Sequence, residues 1–297
     1  MAPPPPPPPP APPTATKLCD KTAASSPCAL GAYVWFQGLD NLLWRTRADG
    51  SGSAINPHGL KCLSTPTAAL DGRVYFQGED NALMVVEQDT PWLYAKLNSK
   101  ECSGPPIVPP DGMVYFCSGT GVVQQSTRNA KSGYFPLKSD QANDHTQMVS
   151  LDHVLDGRTL VFCSFAIKKN LHIAPFPPRG SPHSDVSPID AVVVRRNNKA
   201  YVVRNDNIYI EVSRSDAKLK QDNIMYFCVT TPIESKIGDD GNLYWISSPN
   251  ELLKAPQSSL ATKKLLGYST VRPDVPGDGY VYFRGTDNYI YRAAIPA

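Results

Sequence analysis

The sequence predicts an all-β fold: a seven-bladed β-propeller with about 40 residues per four-stranded blade and an N-terminal strand closing the last blade. Three observations predict it. One apolar phrase recurs seven times, a turn phrase precedes most copies, and the two ends of the chain read as parts of one sheet.

The recurring phrase is an apolar triplet, a small polar loop, Asp-Asn, and a second apolar pair. Its clearest copies run from Tyr33 to Asn41, from Val74 to Asn81 and from Val281 to Asn288. Weaker copies run from Val114 to Gly119, Leu160 to Cys163, Tyr201 to Asn207 and Leu243 to Asn250. Period and phase are both kept, at a spacing typical of propeller blades. The aromatic and β-branched residues suit a strand. Asp-Asn suits a turn, because Asn tolerates positive φ.

The second phrase is a small or polar residue, often Pro, then a short apolar run and frequently Asp-Gly. Ser64 to Gly72, Ser103 to Gly112 and Ser269 to Gly279 carry it, and Ser26 to Gly31 is a shorter form. Asp-Gly predicts a tight turn between two strands. Each unit therefore reads as an inner strand, the Val-Tyr-Phe strand, a Leu-Trp-type strand and a more variable fourth. The chain ends at Ala297 after a third strand, and Thr14 to Asp20 resembles a fourth. The N-terminal strand is expected to complete the seventh blade, which spares the terminal sheets an open edge.

Residues 1–16 separate from the rest. Pro3 to Pro10 is an unbroken proline run, followed by Pro12 and Pro13. Such a run favours polyproline II or disorder. The expected organisation is a proline-rich disordered tail over 1–16 and the propeller over 17–297. The tail reads either as a ligand for a proline-binding module or as an inert solubilising segment.

Composition narrows the function classes. The 297 residues are 41% hydrophobic and 19% charged, enough apolar material for a core. A formal net charge of +2 predicts no basic face for nucleic acid. There is no apolar run long enough to predict a membrane span. The N-terminus has no charged region followed by an apolar one. Seven cysteines, an odd number without a C-x-x-C spacing, are expected to be free thiols in a reducing, cytoplasmic setting. A Cys19–Cys28 or Cys62–Cys102 bridge stays open. No metal, phosphate-loop or nucleophile-elbow phrase occurs, so neither metal nor cofactor is expected.

Candidate binding residues sit in and beside the intact Gly-x-Asp-Asn loops. They are Gln37, Asp40 and Asn41; Gln77, Asp80 and Asn81; and Arg284, Asp287 and Asn288. Carboxylates and amides suit sugar hydroxyls, and Trp35, Trp44 or Tyr289 would stack on a sugar face. The competing reading is that Asp and Asn hold their own hairpins. The units from about 111 to 200 lose this loop and hold four of the five histidines. Among them His145 falls where a loop enters an inner strand, as Arg272 does near the other end. His145 as general base and Arg272 as anion or carbonyl binder are the catalytic candidates of an enzyme reading.

The Ser-Pro and Asp-Gly-x-Val-Tyr phrases resemble the repeats of pyrroloquinoline-quinone-dehydrogenase-type propellers. Leu43 to Ser51 resembles a low-density-lipoprotein-receptor-type propeller phrase. Val-Tyr-Phe-x-Gly-x-Asp-Asn resembles the repeats of tectonin- and tachylectin-like sugar-binding propellers. The resemblance covers 17–297 and implies a propeller with a binding face and a lectin-like role. The metal and quinone ligands of the quinone enzymes have no counterpart here. Three functions follow: lectin-like binding of carbohydrate or another small polar ligand, metal-independent acid/base catalysis on a small molecule, and a protein-interaction scaffold.

Overall fold

The computed structural model describes residues 15–69, 71–108, 236–238, 240–247, 249–256 and 263–296, and between 113 and 226 the strands named below. Among these residues the strands form seven antiparallel sheets in chain order. β1 (Thr16–Thr22) comes first, followed by a sheet of β2 (Cys28–Leu30), β3 (Tyr33–Gln37) and β4 (Leu43–Arg47). Isolated bridges from Ile55 to Arg45 and from Lys61 to Leu42 extend that sheet. The second sheet holds β5 (Thr67–Ala68), β6 (Arg73–Gln77), β7 (Ala82–Glu87) and β8 (Tyr94–Glu101). The third holds β9 (Ser103–Ile107), β10 (Met113–Cys117), β11 (Val123–Thr127) and β12 (Phe135–Pro136). The fourth holds β13 (Thr146–Gln147), β14 (Thr159–Ser164), β15 (Asn170–Pro175) and β16 (His183–Val186). The fifth holds β17 (Ile189–Val194), β18 (Ala200–Arg204), β19 (Ile208–Ser215) and β20 (Lys218–Tyr226). The sixth holds β21 (Lys236–Ile237), β22 (Asn242–Ser247), β23 (Glu251–Pro256) and β24 (Lys264–Tyr268). In the last, β25 (Tyr280–Arg284) pairs with β26 (Tyr289–Ala294), and β1 pairs with the other edge of β26.

Every copy of the recurring phrase falls on the second strand of its sheet, β3, β6, β10, β14, β18, β22 or β25, the first position beside β25 being held by an isolated bridge from Asp274 to Tyr282. In β3, β6 and β25 three successive residues are buried: Val34-Trp35-Phe36, Val74-Tyr75-Phe76 and Val281-Tyr282-Phe283. Successive strand residues point to opposite faces, so these sheets are covered on both sides. The apolar clusters accordingly mix neighbouring sheets. Trp35 and Leu43 pack with Val74, Phe76 and Val86, and Tyr75 and Leu83 with Val114 and Phe116. Tyr244 and Leu252 pack with Val281 and Phe283. The first and last sheets share a cluster too, in which Leu18 of β1 joins Val34, Phe36, Tyr282 and Ile290.

Cations on third strands tie the sheets together. Arg45 Nη1 donates to the Gln88 carbonyl at 2.6 Å, Lys254 Nζ to that of Pro296 at 2.8 Å, and Arg292 Nη1 to that of Ala48 at 2.8 Å. Each acceptor lies just beyond the third strand of the next sheet. Arg45 also stacks over Tyr33 at 4.2 Å, and Arg292 over Tyr280 at 4.6 Å. The inner strands are laced similarly. Cys28 Sγ accepts from Ala68 N at 2.9 Å, and Thr67 Oγ1 donates to Pro106 O at 2.6 Å. Asp274 accepts from Ala29 N at 2.7 Å and from Lys236 Nζ at 2.5 Å, spanning three sheets.

β1 is held from both sides. Leu18 and Cys19 are buried, Ala23 N donates to Asn288 O at 2.7 Å, and Thr46 Oγ1 of the first sheet donates to Leu18 O at 3.3 Å. Neither the Cys19–Cys28 nor the Cys62–Cys102 disulfide is formed, and burial pushes the Cys62 thiol up to about 12. No helix among the described residues is long and apolar enough to cross a membrane.

Leu18→Ala is expected to cost about 2–5 kcal/mol, the usual range for a buried leucine. Deleting residues 1–13 should leave Tm unchanged, whereas deleting 1–22 should lower it sharply. Thermal melts of the three variants check this, and equal small effects would contradict it.

Candidate functional site

The Gly-x-Asp-Asn loops connect second to third strands, and their geometry follows from one bond. In the first loop Gly38 N donates to Leu42 O at 2.9 Å, Asn41 N to Gly38 O at 3.0 Å, and Asn41 takes a φ of 58°. Asp40 Oδ1 then accepts from Leu42 N at 3.2 Å and from Trp44 Nε1 at 3.1 Å. The last loop repeats this: Asp287 accepts from Tyr289 N at 3.2 Å and from the Tyr291 hydroxyl at 2.7 Å. The carboxylate and ring lie across the loop glycine. A Cβ on Gly38 would sit 2.4 Å from Asp40 Oδ1, and one on Gly285 2.7 Å from Asp287 Oδ1.

The same bond closes the turns that enter the second strands. The Tyr75 hydroxyl reaches Asp71 at 3.4 Å, Tyr244 reaches Asp240 at 2.7 Å and Tyr282 reaches Asp278 at 2.6 Å. In every case the aspartate stands four residues before the aromatic ring. These bonds shift the titrations. Burial raises the Tyr244 and Tyr282 hydroxyls, and their aspartate partners raise them further. The bond to Asp287 pushes Tyr291 up to about 12. Burial alone would raise Asp40 and Asp240, but the hydrogen bonds they accept outweigh it and hold both below the ordinary carboxylate value.

Most of the sequence-predicted binding groups have partners within the fold. Gln37 Nε2 donates to Asn41 Oδ1 at 3.0 Å, and Gln77 Nε2 to Asn81 Oδ1 at 2.7 Å. Gln77 Oε1 accepts from Gly104 N at 2.9 Å. Asp40 also pairs with Lys21 at 2.7 Å. Arg284 donates to Thr270 Oγ1 at 3.1 and 3.2 Å and to the carbonyls of Ala23 and Ala24, so it ties the last sheet to the chain leaving β1. Asn288 turns its loop with a φ of 66°. Asp80 differs. Its fourth following residue is Met84, which cannot donate, and no described residue bonds its exposed carboxylate.

The expected stacking rings divide likewise. Trp35 is fully buried and closed to a ligand, a correction to the sequence reading. Lys21 covers Trp44 at 4.2 Å, and Lys17 covers Tyr289 at 3.4 Å. A cleft of about 430 Å³ between β1 and residues 50–54 includes Lys17, Lys21 and Trp44, but its lysines are already paired with Asp20 and Asp40. Arg272 is half-buried in the loop before Asp274. His145 lies outside the described residues. Among those described, no group of three or more His, Cys, Asp or Glu side chains is placed to hold a metal.

A feature the sequence reading missed lies on the outer rim. Trp92, Leu93 and Tyr94 are 59%, 55% and 50% exposed in one consecutive run. The His58 ring of the preceding sheet's outer segment sits 5.6 Å from Tyr94, tilted by 46°. Both segments are pinned: Leu93 N donates to Thr90 O at 2.8 Å, and Asn56 Nδ2 to Leu43 O at 3.1 Å. Three successive large apolar residues outside the recurring phrase were the available signal.

No protein-family model and no curated protein matches the sequence. Solved structures do match in fold. YCF48 bound to D1 peptide aligns with a TM-score of 0.64 at 10% identity, over 96% of each chain. The Myceliophteria thermophila Cps50 (Swd1) β-propeller domain aligns at 0.64 and 9%, over 95% of this chain and 99% of that one. A chain of the nidogen/laminin complex aligns at 0.53 and 7%, over 77% and 90%. At these identities the likeness establishes the fold, which is that of a β-propeller.

Asp240→Ala is expected to destabilise by about 1.5–3 kcal/mol, because it strands the buried Tyr244 hydroxyl, whereas Tyr244→Phe removes that donor and leaves Asp240 bonded to Asn242 and Lys254, so it should cost less. The pH signs follow from linkage. The raised tyrosines contribute stability that is present below pH ~10 and lost as pH rises through their folded values; the lowered Asp40 and Asp240 contribute stability present above pH ~4 and lost on acidification. Urea titrations of the wild type and both variants from pH 3 to pH 11 check this. A D240A effect no larger than that of Y244F would contradict it.

Proposed function

We propose that the chain is a protein-interaction β-propeller of seven blades, its ring closed by β1, that engages a polypeptide partner through the rim patch of Trp92, Leu93, Tyr94 and His58. The observation that carries this reading is the consecutive exposure of those large apolar side chains on pinned backbone. Each is about half exposed, so leaving it in water forgoes roughly half of the ~1.5–3 kcal/mol that full burial of a large apolar side chain gives. Trp and Tyr are the residues that most often anchor interfaces. A pinned loop loses little conformational freedom on binding. Two of the structural neighbours belong to polypeptide assemblies, YCF48 bound to D1 peptide and a nidogen/laminin complex, which supports the class of ligand and not its identity. Acid/base catalysis by His145 and Arg272 gains no further support from the geometry around Arg272.

A second reading keeps the carbohydrate ligand at one loop. Asp80 is the loop aspartate left with an unbonded carboxylate, next to exposed Glu79. A sugar hydroxyl would satisfy it.

Two measurements separate the readings. Immobilised wild-type protein is expected to retain polypeptides that a Trp92→Ser/Tyr94→Ser variant of equal Tm loses and that Asp80→Asn retains. Retention of the same set by the Ser/Ser variant would rule out the rim patch. On a glycan array, wild-type binding that disappears in Asp80→Asn would instead support the carbohydrate reading, and no signal would remove it.

A further inference from the structure

The first sheet breaks the aspartate-to-aromatic rule at one point. Trp35 occupies in β3 the position that Tyr75 and Tyr282 occupy in β6 and β25. Those hydroxyls reach an aspartate four residues earlier. The residue four before Trp35 is Gly31. Here the hairpin is shortened to the two residues Gly31-Ala32, with Leu30 opposite Tyr33, and Gly31 takes a φ of 54°. A two-residue hairpin with glycine first is a favoured turn, but it leaves no side chain to receive the ring. The indole N–H of Trp35 is buried without a hydrogen-bond partner.

The next sheet fills the place of the missing aspartate. A Cβ on Gly31 would lie 2.8 Å from Gln88 Nε2, so the Gln88 amide occupies the space beside that turn. Its Oε1 is also buried and unbonded. Arg45 links the two groups. It donates from Nη1 to the Gln88 main-chain carbonyl at 2.6 Å and stacks 5.5 Å from the Trp35 ring, while its own Nε is buried and unbonded. Two donors and one acceptor, from three side chains, are thus left unsatisfied at one junction between the first and second sheets. Buried polar groups are normally paired, and an unmade bond is destabilising.

We propose that this junction is an internal water site, in which one water accepts from Trp35 Nε1 and Arg45 Nε and donates to Gln88 Oε1. Three hydrogen bonds are typical of a buried structural water. The donor set selects water: an anion would meet the lone pairs of Gln88 Oε1 with no proton to offer, and a cation would meet two N–H groups. The water takes the role that an aspartate plays in the turns of the second, sixth and last sheets. It also joins two sheets beside the Arg45 staple.

The test combines diffraction with thermal melts of the full chain. A crystal structure at high resolution is expected to show a density peak within hydrogen-bond distance of all three atoms. Trp35→Phe and Gln88→Met should each lower Tm by roughly 2–4 °C. The double variant should fall little below the lower single, because both remove one bridge. The Tm difference between wild type and Trp35→Phe should be the same in chloride, sulfate and phosphate at equal ionic strength, since the general stabilising effect of the last two acts on both proteins. An unoccupied junction in that density, or a Trp35→Phe protein at least as stable as wild type, would overturn the proposal. A Tm gain in one anion that Trp35→Phe abolishes would replace water with that anion and overturn the proposal.

Discussion

Second strands with three successive buried residues leave a sheet with two apolar faces, and that constraint governs how the first, second, sixth and last sheets pack. Such a sheet cannot rest at the end of a stack, because one face would stay in water. The first and last sheets meet the requirement by sharing a cluster, in which Leu18 lies among Val34, Phe36, Tyr282 and Ile290. The pairing of β1 with β26 puts the start of the chain into the sheet that its end builds. Several polar staples fall at the same place. Arg284 reaches the Ala23 and Ala24 carbonyls, Arg292 reaches Ala48, and Asp274 reaches Ala29. Hydrogen bonds between sheets matter there because only β1 carries the main chain across that junction.

Much of this order was legible in the sequence, because the strand period and the turn chemistry are local. The phase of Val-Tyr-Phe fixed which strand is second, and the asparagines at 41, 81 and 288 do take positive φ. The loop aspartates were legible as residues but not as a mechanism. Asp40-Trp44, Asp240-Tyr244 and Asp287-Tyr291 spell a four-residue spacing that points to an internal bond, and reading each loop alone hid it. Arg45, Lys254 and Arg292 could not be read, since their acceptors lie 43, 42 and 244 residues away. Arg284 looked like a ligand group for the same reason. The first sheet's fourth strand, reduced to bridges at Ile55 and Lys61, gave no periodic signal.

The same bonds bear on function. Loops whose carboxylates and amides hold their own turns are rigid and offer few free polar groups to a small ligand. What such a framework presents is side chains at defined positions, and among the described residues Trp92, Leu93 and Tyr94 stand exposed in one consecutive run on the rim. The proposed polypeptide partner would meet a stiff platform with a compact aromatic anchor.

Closure of the fold depends most directly on β1 being a full member of the last sheet, and native-state hydrogen exchange measures that. The Ala23 amide, bonded to Asn288 O, and the β26 amides are expected to exchange with one shared opening free energy that falls together as denaturant is added. If Ala23 exchanges at loop rates while β25 and β26 stay protected, the N-terminal strand does not close the fold.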